Sequence, residues 1–128
     1  MRFMMLYKPG KETNAPPTER EMAAVGQLIE EMAKAGVLLA TDGLQPSAKG
    51  ARVRISDGKL SVTDGPFAET KELIAGYAIV QAKSKKEAIE LAKRFLSVMG
   101  EGESEVREMH DAPAFEAQGS ERAQATAR

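Results

Sequence analysis

The sequence predicts an α+β sandwich in which two β-α-β halves share one antiparallel sheet, with a β-hairpin inserted between them. Three observations predict it. Thr18-Glu19-Arg20-Glu21 and Ser84-Lys85-Lys86-Glu87 each fit a capping box and open a run of apolar residues at helical spacing. Short apolar runs with strand-like alternation flank both helical runs. Asp57-Gly58 separates two further short runs, and Asp-Gly in that setting marks a hairpin, because a type I′ turn needs positive φ at both central positions.

The elements follow in order. RFMMLYK, 2–8, reads as a strand with Phe3, Met5 and Tyr7 on one face and Met4 and Leu6 on the other. KPGKETNAPP is a loop by composition. The first helix starts after Thr18, repeats Met22, Val25, Leu28, Ile29 and Met32, and ends near Ala35 with Gly36 as its left-handed stop. VLLATDGL is the second strand, buried at its start, and QPSAKG is a loop. ARVRIS and KLSVT form a half-exposed hairpin from Arg52 to Thr63. LIAGYAIVQA, 73–82, is the most buried strand, with Tyr77 and Ile79 facing away from Ala78 and Val80. The second helix carries Ala88, Leu91, Ala92, Phe95, Leu96 and Met99 on one stripe and stops at Gly100. SEVREMH, 104–110, is the last strand. Residues 1–111 make the domain, and 112–128 lack apolar periodicity and read as a flexible or partner-docked tail. This order defines a ferredoxin-like sandwich with both helices on one face of the sheet.

That architecture creates an excess of apolar surface. Two helices cover one face only, yet the first strand and the 73–82 strand are apolar on both. Phe3, Met5, Tyr7 and Ile79 cannot all stay wet, so the pattern predicts a homodimer whose sheets pack face to face. The methionines Met4, Met5, Met22 and Met32 read as core or interface filler.

Composition bounds the function. The chain has 128 residues, one domain's worth, with 42% apolar and 29% charged residues. Eighteen Lys and Arg against 19 Asp and Glu give a net charge of -1, which argues against a broad nucleic-acid or membrane surface. There is no cysteine, so disulfides and thiolate metal sites are excluded. MRFMMLYKPG suits a strand better than a signal peptide, and no run approaches the roughly 18 apolar residues of a membrane helix. The expectation is a cytoplasmic protein with no cofactor and no metal. GKETN and DGLQPSAKG lack the Gly-Lys spacing of a phosphate loop.

The chemistry-bearing stretch is TDGPFAETKE, 63–72. Gly65 permits unusual φ and Pro66 removes an N–H, so Asp64-Gly65-Pro66 ends a strand and turns the chain. On this reading Asp64 accepts from the N–H of Phe67 or Ala68, and Phe67 plugs a core edge. The alternative gathers Asp64, Glu69, Thr70, Lys71 and Glu72 at the mouth of a cleft for proton transfer or ligand binding. His110 is the single histidine. In an extended strand it points away from Asp111, so the two make a poor dyad. Arg52, Arg54 and Arg107 form an anion site if the hairpin folds over the last strand; otherwise they are solvated strand faces.

TDGPFAETKELIAGY resembles the signature of the YCII-related proteins, in the subfamily named for its Asp-Gly-Pro-Phe (DGPF) motif. GVLLATDGLQPSAKGARVR, SKKEAIELAKRF and SEVREM match as well, so the resemblance covers residues 1 to about 111. It implies a ferredoxin-like fold that dimerises into an α/β barrel. Some relatives of this kind are encoded beside, or fused to, extracytoplasmic-function sigma factors. Broader relatives act on small ring compounds with a His-Asp pair, and this chain has no histidine in or before its first helix.

Three functional expectations follow. The first is a homodimer that binds a small polar or aromatic molecule beside the 64–72 loop, with Asp64 orienting the loop, Phe67 and Tyr77 lining the pocket, and Thr70 or Arg107 meeting a polar group. The second is an enzyme acting on small ring compounds, with Asp64 or Glu69 as base and His110 as a further catalytic candidate. The third is an interaction module for a sigma factor, using the hairpin or the tail.

Overall fold

The computed structural model describes residues 1–12, 17–68 and 72–110. Among these residues, six strands and two α-helices appear in the order β1 (Arg2–Pro9), α1 (Glu19–Lys34), β2 (Leu38–Gly43), β3 (Ala51–Ser56), β4 (Lys59–Asp64), β5 (Gly76–Gln81), α2 (Lys85–Met99) and β6 (Gly102–Glu108). Four strands make one sheet in the order β2-β5-β1-β6, and β3 and β4 form a separate hairpin. Every pairing in the main sheet is antiparallel. The order and the two covering helices define a ferredoxin-like α+β fold. The sequence-predicted tail, 112–128, lies outside the described residues.

Both helices start as their sequences dictate. The Thr18 hydroxyl accepts from the Glu21 N–H at 3.1 Å, and the Ser84 hydroxyl accepts from the Glu87 N–H at 3.2 Å. Each bond satisfies a donor that the first helical turn leaves free, worth about 1 kcal/mol. Gly36 at φ 76° and Gly100 at φ 94° end them, conformations that side-chain-bearing residues rarely adopt.

The core lies between the helices and one face of the sheet. Phe3, Met5, Ala78 and Val80 pack there against Leu28, Met32, Ala88, Leu91 and Ala92. The register pairs Phe3 with Val80 and Met5 with Ala78, so strand alternation aligns these side chains in rows. The opposite face carries Met4, Leu6, Tyr77 and Ile79, all half-buried, and no helix of the described residues covers it. The two-faced pattern is therefore present, but its uncovered half is Met4, Leu6, Tyr77 and Ile79, not Phe3 and Met5. Met22, expected in the first helix stripe, is 61% exposed; the buried residues of α1 are Leu28 and Met32, in its C-terminal half.

Strand limits differ from expectation at several points. Residues 73–75 precede β5 and do not belong to it. Leu44 donates its N–H to the Ala75 carbonyl and Ala75 donates to the Tyr7 carbonyl, so this segment is tied down without continuing the ladder. The last strand starts earlier, at Gly102, and ends at Glu108, leaving His110 beyond it.

The hairpin is the largest departure. Asp57 at φ 50° and Gly58 at φ 76° make the turn that the Asp-Gly pair predicts. The strands were expected to be half-exposed. Instead Val53, Ile55, Leu60 and Val62 are 67–74% exposed, and the partly covered residue of the two strands is Arg52 near the root. The cause is topological: β3 and β4 pair with each other and with no strand of the main sheet.

Candidate functional site

Three places in the molecule bring chemistry-bearing residues together. The first is the Asp-Gly-Pro-Phe corner. The Gly65 N–H donates to the Gly50 carbonyl at 3.0 Å and closes the root of the hairpin. A Cβ on Gly65 would overlap the Ser47 carbonyl, so glycine is required by close backbone approach. The Gly65-Pro66 peptide is cis. The N–H of Phe67 goes to the Ser47 hydroxyl at 3.2 Å, not to Asp64 as the sequence suggested. Ser47 is held in turn by Glu12, whose carboxylate accepts from the Ser47 hydroxyl at 2.6 Å and from its N–H at 2.8 Å. These two bonds, the hydroxyl first, hold the Glu12 carboxyl below its ordinary value. The Arg52 guanidinium lies 4.0 Å from the centre of the Phe67 ring. Phe67 is thus half-buried beneath an arginine at the hairpin root, outside the main core. Asp64 is exposed at the end of β4. Glu69, Thr70 and Lys71 lie outside the described residues.

The second place is the helix-free face of the sheet. The Tyr77 hydroxyl donates to Asp42 at 3.0 Å, and that bond raises the phenol above its ordinary value. Lys8 donates to Glu105 at 2.9 Å and also approaches Glu72 at 3.5 Å and Glu103 at 3.9 Å. Arg107 pairs with Glu105 at 3.1 Å. The hydrogen bonds from Lys8 and then Arg107 hold the Glu105 carboxyl low, and the bond to Glu105 is the first cause of a raised Lys8. Tyr77 and Arg107 therefore share a face, while Asp64 and Phe67 stand apart from them at the corner. Arg107 sits on β6, at the opposite edge from β2, which leads into the hairpin, so the sheet order separates it from Arg52 and Arg54. His110 is exposed just past β6, where its carbonyl accepts from Arg2 at 3.0 Å.

The third place was not foreseen from the sequence. Val25 and Ile29 of α1 and Phe95 and Leu96 of α2 are only half-buried. Between them and the sheet lies a cavity of about 330 Å³, floored by Met5, Ala78 and Tyr7 and walled by Met99. Its polar lining comes from Tyr7, Thr41, Asp42, Tyr77 and Ser104. Thr41 already donates to the Tyr77 carbonyl and Tyr7 to the Glu101 carbonyl. Burial raises the Tyr7 phenol above its ordinary value. Beyond Tyr7 and Met99 the cavity meets an open groove lined by Lys11, Glu12, Glu21 and Glu101. Its helical lining residues Val25, Ile29, Phe95 and Leu96 belong to the two apolar stripes that the sequence shows.

A ferredoxin-like α+β domain with a largely apolar, open-ended cavity under its helices is the class that fold and geometry define. Residues 1–112 match the YCII-related domain, and the chain belongs to that family. It is similar to an uncharacterized protein of Rhizobium meliloti (strain 1021), with 36% identity over 75 residues, 59% of this chain. The alignment spans 60% of that relative's length. No helix among the described residues is long and apolar enough to cross a membrane.

Proposed function

We propose that the protein is a homodimer in which each protomer binds a small, mainly apolar ring compound in the cavity between the sheet and the two helices. The cavity itself carries this reading. Its volume of about 330 Å³ lies at the lower end of the range for small-molecule sites. An apolar floor with a few polar groups at one end is the usual arrangement for orienting such a ligand. Tyr7 and Ser104, neighbours in the β1–β6 register, are the groups best placed to meet its polar end. The cavity is a better container than the shallower groove beside the 64–72 loop, where Arg52, Phe67 and Ser47 already engage one another.

The dimer is supported by the helix-free face. Met4, Leu6, Ile79 and Ala40 form an apolar block there, and packing it on a second sheet would remove it from water. Sedimentation analysis at micromolar concentration tests this part, and a monomer would overturn it.

The binding reading is tested with one- and two-ring aromatic fragments followed by ligand-observed NMR. Ile29→Phe, which fills the cavity, should abolish binding, while Phe67→Ala at the corner should leave it unchanged. Fragments that bind Ile29→Phe normally and fail on Phe67→Ala would move the site to the corner groove.

A further inference from the structure

The hydroxyls that line the cavity have spent most of their protons. Tyr7 donates to the Glu101 carbonyl at 3.0 Å, and Thr41 donates to the Tyr77 carbonyl at 2.8 Å. Tyr77 donates to Asp42 on the helix-free face, and the Asp42 carboxylate has no proton to give. The Ala75 N–H is taken by the Tyr7 carbonyl at 2.8 Å. A hydroxyl carries one proton and two lone pairs, so Tyr7 and Thr41 can still accept, but each can donate to a ligand only by breaking a bond it already makes. Among the described residues, Ser104 is the one lining hydroxyl with no bond of its own. We infer that the cavity selects ring compounds whose polar end donates hydrogen bonds, an amine above all, and disfavours carboxylates. This class of ligand rests on the cavity reading proposed above.

The shape of the site carries the same preference outward. Tyr7, Ala75 and Met99 line both the cavity and the groove beyond it, so the two form one path. Along α1, Ile29, Val25 and Glu21 lie four residues apart on one side of the helix, about 6 Å per step. The first two line the cavity and the third lines the groove. Phe95 and Met99 of α2 line the cavity, and Glu101, two residues past the helix end, lines the groove. An apolar cavity of about 150 Å³ holds benzene, so one of about 330 Å³ takes a ring with a short substituent. A ring seated against Ile29 and Phe95, with its substituent toward the groove, meets hydroxyl oxygens first and carboxylates next.

Charge at the mouth decides between a cation and an anion. The groove lining carries Glu12, Glu21 and Glu101 against Lys11. The N-terminus of α1 opens there too and counts as about half a positive charge. Three negative charges against about one and a half positive ones leave the mouth acidic. Glu12 has both oxygens on Ser47, so Glu21 and Glu101 are the carboxylates left for a ligand, and neither is in an ion pair among the described residues. An ammonium is attracted to such a mouth and a carboxylate repelled. The committed hydroxyls inside and the net charge outside are separate observations that favour the same ligand.

Benzylamine, benzyl alcohol, acetophenone and benzoate share one ring and nearly one length, and they differ in what the polar end does. The ammonium only donates, the alcohol donates and accepts, the ketone only accepts, and the carboxylate accepts and carries negative charge. Titrated into the full chain and followed by ligand-observed NMR, they should rank in that order of affinity. Benzylamine should bind about tenfold more tightly than acetophenone, the worth of one hydrogen bond. Tyr7→Phe, which removes an acceptor from the rim, should bring benzylamine toward acetophenone. Glu21→Gln and Glu101→Gln should each narrow the gap between benzylamine and benzyl alcohol, as should salt at about 0.5 M. The ranking is read on the wild-type chain, so it stands whether or not a variant folds. Acetophenone or benzoate binding as tightly as benzylamine, with all binding still lost in Ile29→Phe, overturns the donor preference and leaves the cavity standing. Binding of none of the four, or binding that survives Ile29→Phe, overturns the cavity reading itself.

Discussion

Strands β1 and β5 pair Phe3 with Val80 and Met5 with Ala78, while β3 and β4 pair Val53 with Val62 and Ile55 with Leu60. The residue types are alike, and so is the antiparallel geometry. The first set is at most 4% exposed and the second at least 67%. Alternation therefore tells which residues share a face but not what lies over it. In the sandwich the cover is local, because each helix returns along the strand it follows. Among the described residues no α-helix lies between the hairpin and β5, and none covers the apolar row of the hairpin.

The largest expected effect would break the comparison if it failed. Met32→Ala removes a side chain that is 1% exposed and should cost about 2–5 kcal/mol in denaturant unfolding. Ile55→Ala, in protein dilute enough to keep copies apart, should cost under about 0.5 kcal/mol. Equal costs would mean that the hairpin is covered within its own chain.

The root of the hairpin should behave like the core, although it is half exposed. Gly65→Ala forces a methyl into the Ser47 backbone and should cost about 2–3 kcal/mol. Gly58→Ala at the hairpin tip meets only open space, and its cost, about 1 kcal/mol, comes from its φ of 76°. Thermal unfolding of the two variants ranks them. The reverse order would place the rigid point of the hairpin at its tip.

These contrasts define what the sequence made legible. Both helices, their caps and the turn at Asp57-Gly58 rest on bonds or dihedrals within a few residues, and all were readable. Gly65 and Pro66 were readable as a corner. That the corner closes on Ser47 and Glu12 was not, since those partners lie 18 or more residues away with no periodic signal. The cavity escaped for a related reason. Val25, Ile29, Phe95 and Leu96 read as core, and helical periodicity marks a buried face without showing how closely its neighbours approach it. Tyr77 and Arg107 were expected beside the 64–72 loop with Phe67, and alternation alone could not reveal that the two share the helix-free face while Phe67 sits apart at the corner.

Acid should separate the two regions next. Glu105 serves the sheet and Glu12 serves the hairpin root, and both carboxyls are held low by hydrogen bonds. A carboxyl held low in the folded state binds protons less readily there than in the unfolded chain. Its stabilisation is fully present above the ordinary carboxylate value, about 4.3, and is lost as pH falls through the lowered one. Glu105→Gln and Glu12→Gln should each flatten the acid limb of melting temperature against pH. Lys8 runs the other way: its stabilisation holds below the ordinary lysine value and is lost as pH rises through the raised one. A Glu12→Gln variant with an unchanged acid limb would show that the Ser47 clamp does not carry the charge dependence of the root.

The smallest effect belongs to Asp64, the most conspicuous acid of the motif. It ends β4 opposite Ala51 and is exposed, and its expected bond to Phe67 is replaced by the Ser47 hydroxyl. Asp64→Asn should therefore change unfolding free energy by less than about 0.5 kcal/mol. Ser47→Ala, two bonds poorer, should cost about 1–2 kcal/mol in the same measurement. If Asp64→Asn cost as much as Ser47→Ala, the carboxylate would be part of the clamp and its presence in the corner would need no other cause. If it costs nothing, the fold does not need the acid. Fragment binding to Asp64→Asn then becomes the sharper measurement, because an effect there could only come from contact with a ligand or a partner.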